Sequence, residues 1–199
     1  HPPARRGVLR ARAAAVERAV TTAHDGIALG FVTGMILVPL TQGKVAIIDD
    51  ADGECVLTRK WYAMKRKRKR KTTWYAASGC QPKRITMHAL LLPCEKPLTP
   101  DHINGDGLDN RRSNLRPATP SQQMWNKAGS RNGFKGVTWS SEPSSRLTAG
   151  GRWKAHIGVK GRRIVRWAKS EREAAEMYNA LAREHFGEYA RLNDLGEVS

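Results

Sequence analysis

Between Asp101 and Arg116 the chain reads Asp101-His102-Ile103-Asn104-Gly105-Asp106-Gly107-Leu108-Asp109-Asn110-Arg111-Arg112-Ser113-Asn114-Leu115-Arg116, with acid, imidazole, amide and guanidinium groups set around two glycines. Hydrolysis of a phosphodiester needs those types. Imidazole, with an ordinary pKa near about 6.5, can be neutral at the working pH and take a proton from water. Carboxylate and amide oxygens suit a hard divalent cation, which offsets charge on the scissile phosphate and the leaving oxygen. Arg111, Arg112 and Arg116 would hold the phosphate backbone through charge-assisted hydrogen bonds. A lone Asp-His pair reads as a hydrogen-bonded turn, but a string that holds every part of a hydrolytic site does not. Elsewhere, His88 is a structural histidine at a core edge and only a secondary site candidate. His156 reads as a surface or DNA-facing residue, and Asp49 and Asp50 as turn residues.

Charge points to the same substrate class. Thirty-five Lys and Arg stand against 18 Asp and Glu, a formal net charge of +17 over 199 residues. Such a field favours a polyanion: cations that neutralise phosphates release condensed counterions, so DNA or RNA would be bound tightly and in a salt-dependent way. No RNA-type stacking motif is present, which makes double-stranded DNA the expected partner. The longest apolar stretch, Gly26 to Leu40, is shorter than the roughly 20 residues of a spanning helix and is interrupted by Thr33 and Gly34, so no membrane segment is expected. An Arg- and Ala-rich lead from Arg5 to Ala19 mimics a targeting peptide without a convincing cleavage site. The chain opens on His1, which points to a fragment, a processed form or a mistaken start. Cys55, Cys80 and Cys94 form no Cys-x-x-Cys pair, so neither a disulfide framework nor a zinc ribbon is indicated and an intracellular, reducing location is expected.

Elements able to position these groups can be read from periodicity. Val8 to Ala23 favours helix by propensity. From Ile36 the texture changes to short β-prone runs, Ile36–Leu40, Lys44–Ile48, Trp61–Met64, Thr73–Ala76 and Arg84–Met87, punctuated by the turn pairs Gln42-Gly43 and Asp52-Gly53. The basic run Lys65 to Lys71 reads as a solvated hairpin tip that would touch phosphate if DNA lay near; Trp61, Tyr62, Trp74 and Tyr75 beside it read as core aromatics. A polar helix is expected over Thr119–Lys127. Three strands follow near Phe134–Trp139, Arg152–Val159 and Arg162–Trp167, the last two joined at Lys160-Gly161. A helix over Ser170–Phe186 starts on a capping box, Ser170 with Glu173, and its apolar face is Ala174, Ala175, Tyr178, Leu181 and Ala182. The fold class is therefore α+β: a β-rich N-terminal region, then a three-stranded antiparallel sheet packed on one helix.

Asp101-His102, Asn114-Leu115 and the polar helix after them resemble the strand, loop and helix of HNH endonucleases, specifically the homing-type enzymes of phage and prophage, and the Met87-His88 lead-in is similar too. The resemblance implies a ββα-metal site in residues 35–128. It makes His102 the general base and Asp101 a metal ligand, with Asn114 bracing the loop and an amide on the helix completing the site. These enzymes usually show Asn where this chain has Gln123, which keeps an amide oxygen on a longer side chain; Asn126, one turn on, is the substitute candidate. Ala89 stands where relatives commonly place Arg. A divalent ion, most simply Mg2+, is implied as cofactor, and a single site would cut one strand unless the protein dimerises. The reading open beside it is a DNA-binding regulator with an inactive site.

A second resemblance lies in residues 130–195, carried by Gly133-Phe134-Lys135-Gly136-Val137, Gly151-Arg152-Trp153-Lys154-Ala155-His156-Ile157, Glu173-Ala174-Ala175, Tyr178-Asn179 and Phe186-Gly187-Glu188-Tyr189-Ala190-Arg191-Leu192-Asn193. It is similar to the APETALA2-type domain of plant ethylene-response factors, whose sheet lies in the major groove. That resemblance implies Lys135, Thr138, Arg152, Lys154, Arg162 and Arg163 as outward-facing DNA contacts, and Val137, Ala155 and Ile157 as core. Residues 1–34 remain a leader with no assigned role.

Overall fold

The computed structural model describes residues 20–22, 28–32, 34–68, 71–129, 133–141 and 152–196. Most of the leader and residues 142–151 lie outside them. The architecture is α+β, with small antiparallel sheets and few helices. The chain divides into two compact units, His1–Thr119 and Pro120–Ser199. Among the described residues no helix is long and apolar enough to cross a membrane.

The first unit opens with four antiparallel strands in the order β1-β2-β3-β4: Val20–Thr22, Ala28–Val32, Met35–Pro39 and Val45–Asp49. Helix propensity through Ala23 is overridden at Val20–Thr22. Its β-branched Val-Thr-Thr pairs with Ala28–Gly30 instead. Side chains alternate across a strand, so β3 and β4 bury Ile36, Val38, Ala46 and Ile48 on one face. The turn between them places Gln42 and Gly43 at φ 61° and 60°, the left-handed geometry that the Gln-Gly pair predicts. Helix α1 (Gly53–Leu57) follows, and the Trp61 indole donates to the Val56 carbonyl at 2.8 Å. A second sheet holds β5 (Tyr62–Arg68), β6 (Lys71–Ser78) and β7 (Ile85–Thr86). The β-prone run expected to reach Met87 stops at Thr86, where α2 (Met87–Leu91) begins and buries Met87 and Leu91 in the core. Strands β8 (Thr99–His102) and β9 (Leu115–Ala118) close the unit as a two-stranded ribbon.

In the second unit Pro120 opens helix α3 (Pro120–Trp125), a position where its missing N–H costs nothing. This helix belongs with the C-terminal sheet, and Trp125 stacks on Phe186 with ring centroids 4.6 Å apart. The sheet is β10 (Val137–Ser140), β11 (Arg152–Val159) and β12 (Arg162–Ala168), all antiparallel. Lys160 and Gly161 turn the second hairpin at φ 49° and 77°. Helix α4 (Glu171–Phe186) is capped by Ser170, whose hydroxyl accepts from the Glu173 N–H; the Glu173 carboxylate reaches back to the N–H of Lys169, one residue ahead of the cap. All five residues of its expected face are buried, and Ala174, Tyr178, Leu181 and Ala182 share one core with Ala155, Ile157 and Ala168 of the sheet. An amide pair closes the module: Asn179 holds the backbone of Asn193, which in turn holds both backbone groups of Lys135.

Candidate active site

Strand β8 ends on Asp101 and His102, and β9 begins on the residues opposite them, Leu115 and Arg116. Alternation along a strand sends neighbouring side chains to opposite sides. His102 is 6% exposed, whereas Asp101 is half-buried and faces the Arg116 guanidinium at 3.4 Å. The loop joining the two strands is laced by amides. Asn114 accepts from the Asn104 N–H at 3.0 Å and donates to the Asp109 carbonyl at 2.7 Å and to Asn104 Oδ1 at 3.1 Å. Asn104 in turn donates to the buried Asp109 carboxylate at 2.9 Å. The loop is also fixed to β4: Ile47 donates to Leu108 and accepts from Asn110. Gly107 permits this closeness, because a Cβ there would meet the Trp74 carbonyl and the Tyr75 ring inside 3 Å.

Asn110 sets the state of His102. Its Nδ2 donates to the Leu108 carbonyl at 3.1 Å, so its Oδ1 is the atom that meets His102 Nε2 at 3.3 Å. Because Oδ1 only accepts, Nε2 carries the proton and the lone pair resides on Nδ1. Burial lowers the His102 pKa; the bond to Asn110 and the charges of Asp101, Asp106 and Asp109 oppose that shift without cancelling it. The ring is therefore neutral at neutral pH. His88 on α2 meets it edge-on, with centroids 5.0 Å apart, and Tyr75 on β6 touches both rings at 5.5 and 6.0 Å. Burial, then His102, then Arg66 push the His88 pKa down to about 4. Its Nε2 lies 3.1 Å from the Thr86 hydroxyl, and its buried Nδ1 has no partner among the described residues.

The three loop arginines, expected on phosphate, are each held by a carboxylate. Arg111 makes two bonds to Asp109 at 2.7 and 2.8 Å, and Arg112 makes a bidentate contact with buried Asp52 while its N–H meets Asp49. Arg116 faces Asp101. Gln123, half-buried on α3, and Asn126, buried just past its end, belong to the second unit. Among the described residues no three His, Cys, Asp or Glu side chains gather as metal ligands. One carboxylate with side-chain amides is a different donor set, and Asp101 suits it. Its carboxylate is the hard oxygen donor of that set and is held against Arg116 at 3.4 Å.

In the second unit Thr138, Arg152, Lys154 and Arg163 share the sheet face opposite α4, since they alternate with the buried Ala155 and Ile157 in register. His156 and Trp167 lie on that face as well, with the Lys154 ammonium 5.8 Å from the Trp167 ring. Arg162, adjacent to Arg163, falls on the other face at the edge of the sheet. Lys135 turns inward: its ammonium bonds the Trp125 carbonyl, lies 5.9 Å from the Tyr178 ring, and is pushed by burial to a pKa of about 8. The expectation that Lys135 and Arg162 point outward with the rest is therefore corrected. Lys135, two residues before Val137, has the parity of the core-facing side rather than that of Thr138, and neighbours such as Arg162 and Arg163 cannot share a face. Sequence reading gave Tyr75 and Asp52 only structural places, a core aromatic and a turn residue, and gave Asp109 and Asn110 no individual roles. Only the glycine and amide density of the 104–114 loop signalled such a network.

No family model matches the chain, and no solved structure matches it. Two viral proteins do. The uncharacterized HNH endonuclease L560 of Acanthamoeba polyphaga mimivirus is 38% identical over 96 residues, 48% of this chain and 46% of its own. Protein 3.8 of Escherichia phage T7 is 26% identical over 122 residues, 60% of this chain and 84% of its own. The chain thus spans about half the length of the mimivirus relative.

Proposed function

We propose that this chain is a metal-dependent DNA endonuclease of the HNH type that hydrolyses phosphodiester bonds, with duplex DNA also held by the sheet of its second unit. The observation that carries the reading is His102, a buried imidazole kept neutral by desolvation, its tautomer set by Asn110, directly after Asp101 in the strand. The name of the mimivirus relative supports it. His102 Nδ1 takes a proton from the attacking water. Asn114 keeps the loop, and so the ring, in place. Asp101 would hold Mg2+ or a similar ion in the first unit, and the HNH resemblance alone names Gln123 and Asn126 as amide candidates; such an ion would stabilise charge on the scissile phosphate and leaving oxygen. Thr138, Arg152, Lys154 and Arg163 would engage the duplex, because an antiparallel ribbon fits the major groove; the resemblance to APETALA2-type domains supports that role.

The test is conversion of supercoiled plasmid to nicked circles with Mg2+, beside EDTA and the variants Asp101→Asn, Gln123→Ala and Asn126→Ala. Nicking that EDTA and Asp101→Asn abolish is the result expected, and the two amide variants show which of them matters. Tight DNA binding with no nicking under any divalent metal would leave a DNA-binding regulator instead.

A further inference from the structure

The three arginines of the 101–116 stretch, expected on phosphate, are already neutralised, since Arg111 and Arg112 are bound to Asp109 and Asp52 and Arg116 faces Asp101. The β5–β6 hairpin is different. Lys65, Arg66 and Lys67 are all exposed, and among the described residues no carboxylate pairs with any of them. Register shows where they point. Arg66 lies opposite Thr73, and Met64 opposite Tyr75, so Arg66 extends the hairpin face whose Tyr75 ring touches His88 and His102. One pair separates Arg66–Thr73 from Met64–Tyr75, so Arg66 stands about 7 Å along the strand from the ring that borders the candidate base. Its charge reaches the site, since Arg66 is among the causes that lower the His88 pKa. Lys65 and Lys67 alternate onto the other face. There Trp74, opposite Lys65, has the ammonium groups of Lys65 and Lys44 at 5.5 and 5.4 Å from its ring.

We infer that the β5–β6 hairpin, through Lys65, Arg66 and Lys67, is the grip by which the first unit holds the backbone phosphates of its nucleic acid, with Arg66 carrying the strand toward the His88–His102 pair. This deepens the proposed nuclease reading and rests on it for the word substrate, but the contact itself is with phosphate and needs no cleavage. An unneutralised cation releases counterions when it meets phosphate. A cation already bound to a carboxylate gains less and must first give up that partner.

The experiment is the salt dependence of binding of the full chain to a 30-base-pair DNA duplex of arbitrary sequence, without metal, so that a protein unable to nick still gives the readout. For Lys65→Gln/Arg66→Gln/Lys67→Gln, the slope of log affinity against log salt falls by roughly 2 to 3, near 0.9 for each phosphate that is no longer neutralised. Arg66→Gln alone lowers it by about 1. The charge-keeping exchange Lys65→Arg/Arg66→Lys/Lys67→Arg preserves the slope, which separates lost charge from a damaged hairpin. An unchanged slope in the triple Gln variant would overturn the inference, as would an equal fall in Arg112→Gln, which would return the grip to the loop. Retained DNA binding with lost binding to phosphatidylserine vesicles would overturn it in favour of a membrane role for the hairpin.

Discussion

Two histidines in edge contact, His88 and His102, respond to pH differently. Burial lowers the pKa of His102, so a general base at this position would be in its working form at neutral pH. The acid limb of the cleavage rate is expected to have its midpoint below pH 6.5; a midpoint at or above pH 7 would mean another group is the base. His88 affects stability. Above pH 6.5 it is neutral in both the folded and the unfolded chain, so its full contribution is present. Between 6.5 and about 4 only the unfolded chain takes the proton, so stability falls as pH falls through that window. The loss approaches about 3 kcal/mol as an upper bound and levels off once the folded state is protonated as well. Thermal melts of His88→Leu should therefore change less between pH 7 and 4 than those of the native chain. Of this site, Asp101, His102 and Asn114 could be singled out from the sequence because the resemblance that names them is carried by one contiguous stretch. The Tyr75–His88–His102 contact could not, since it depends on how β6, α2 and β8 pack and no interval in the sequence encodes that.

Elements whose geometry is local were legible. The Lys160-Gly161 turn, the Ser170–Glu173 cap and the apolar face of α4 follow from residue type and period alone. Where tertiary pairing decides, the reading failed. Helix propensity gave way to strand at Val20–Thr22, and a β-prone run became helix at Met87, which the core takes whole. Lys135 was misplaced for the same reason, since its direction is set by the Asn193 bonds that precede the strand. Gly136 gives a prediction at this scale. It sits at φ 68°, and a Cβ would come within 2.2 Å of the Tyr178 ring. Gly136→Ala is expected to destabilise the second unit by about 2–4 kcal/mol, combining left-handed strain with overpacking against the helix. Urea denaturation followed through Trp fluorescence would show it as a lower midpoint, and a shift below about 0.5 kcal/mol would mean that α4 does not approach the sheet so closely.

At the scale of the whole molecule, a +17 chain carries two kinds of basic surface, one beside a histidine pair and one on a sheet. Composition alone indicated a polyanion, and motif spacing indicated two modules. The expected division after the helix differs from the observed one, which falls between Thr119 and Pro120, because Trp125 stacks on Phe186. With one candidate site among the described residues, nicked circles are expected to accumulate well before linear DNA in a plasmid time course. Simultaneous appearance of linear product would require two sites acting together. The most direct test of the catalytic role is the single-turnover rate of phosphodiester hydrolysis by the native chain and by His102→Ala, with DNA affinity measured on the same preparations. A rate fall of about 100-fold or more at unchanged affinity, partly restored by added imidazole, is the result expected of a general base; a rate within about tenfold of the native chain would contradict that role for His102.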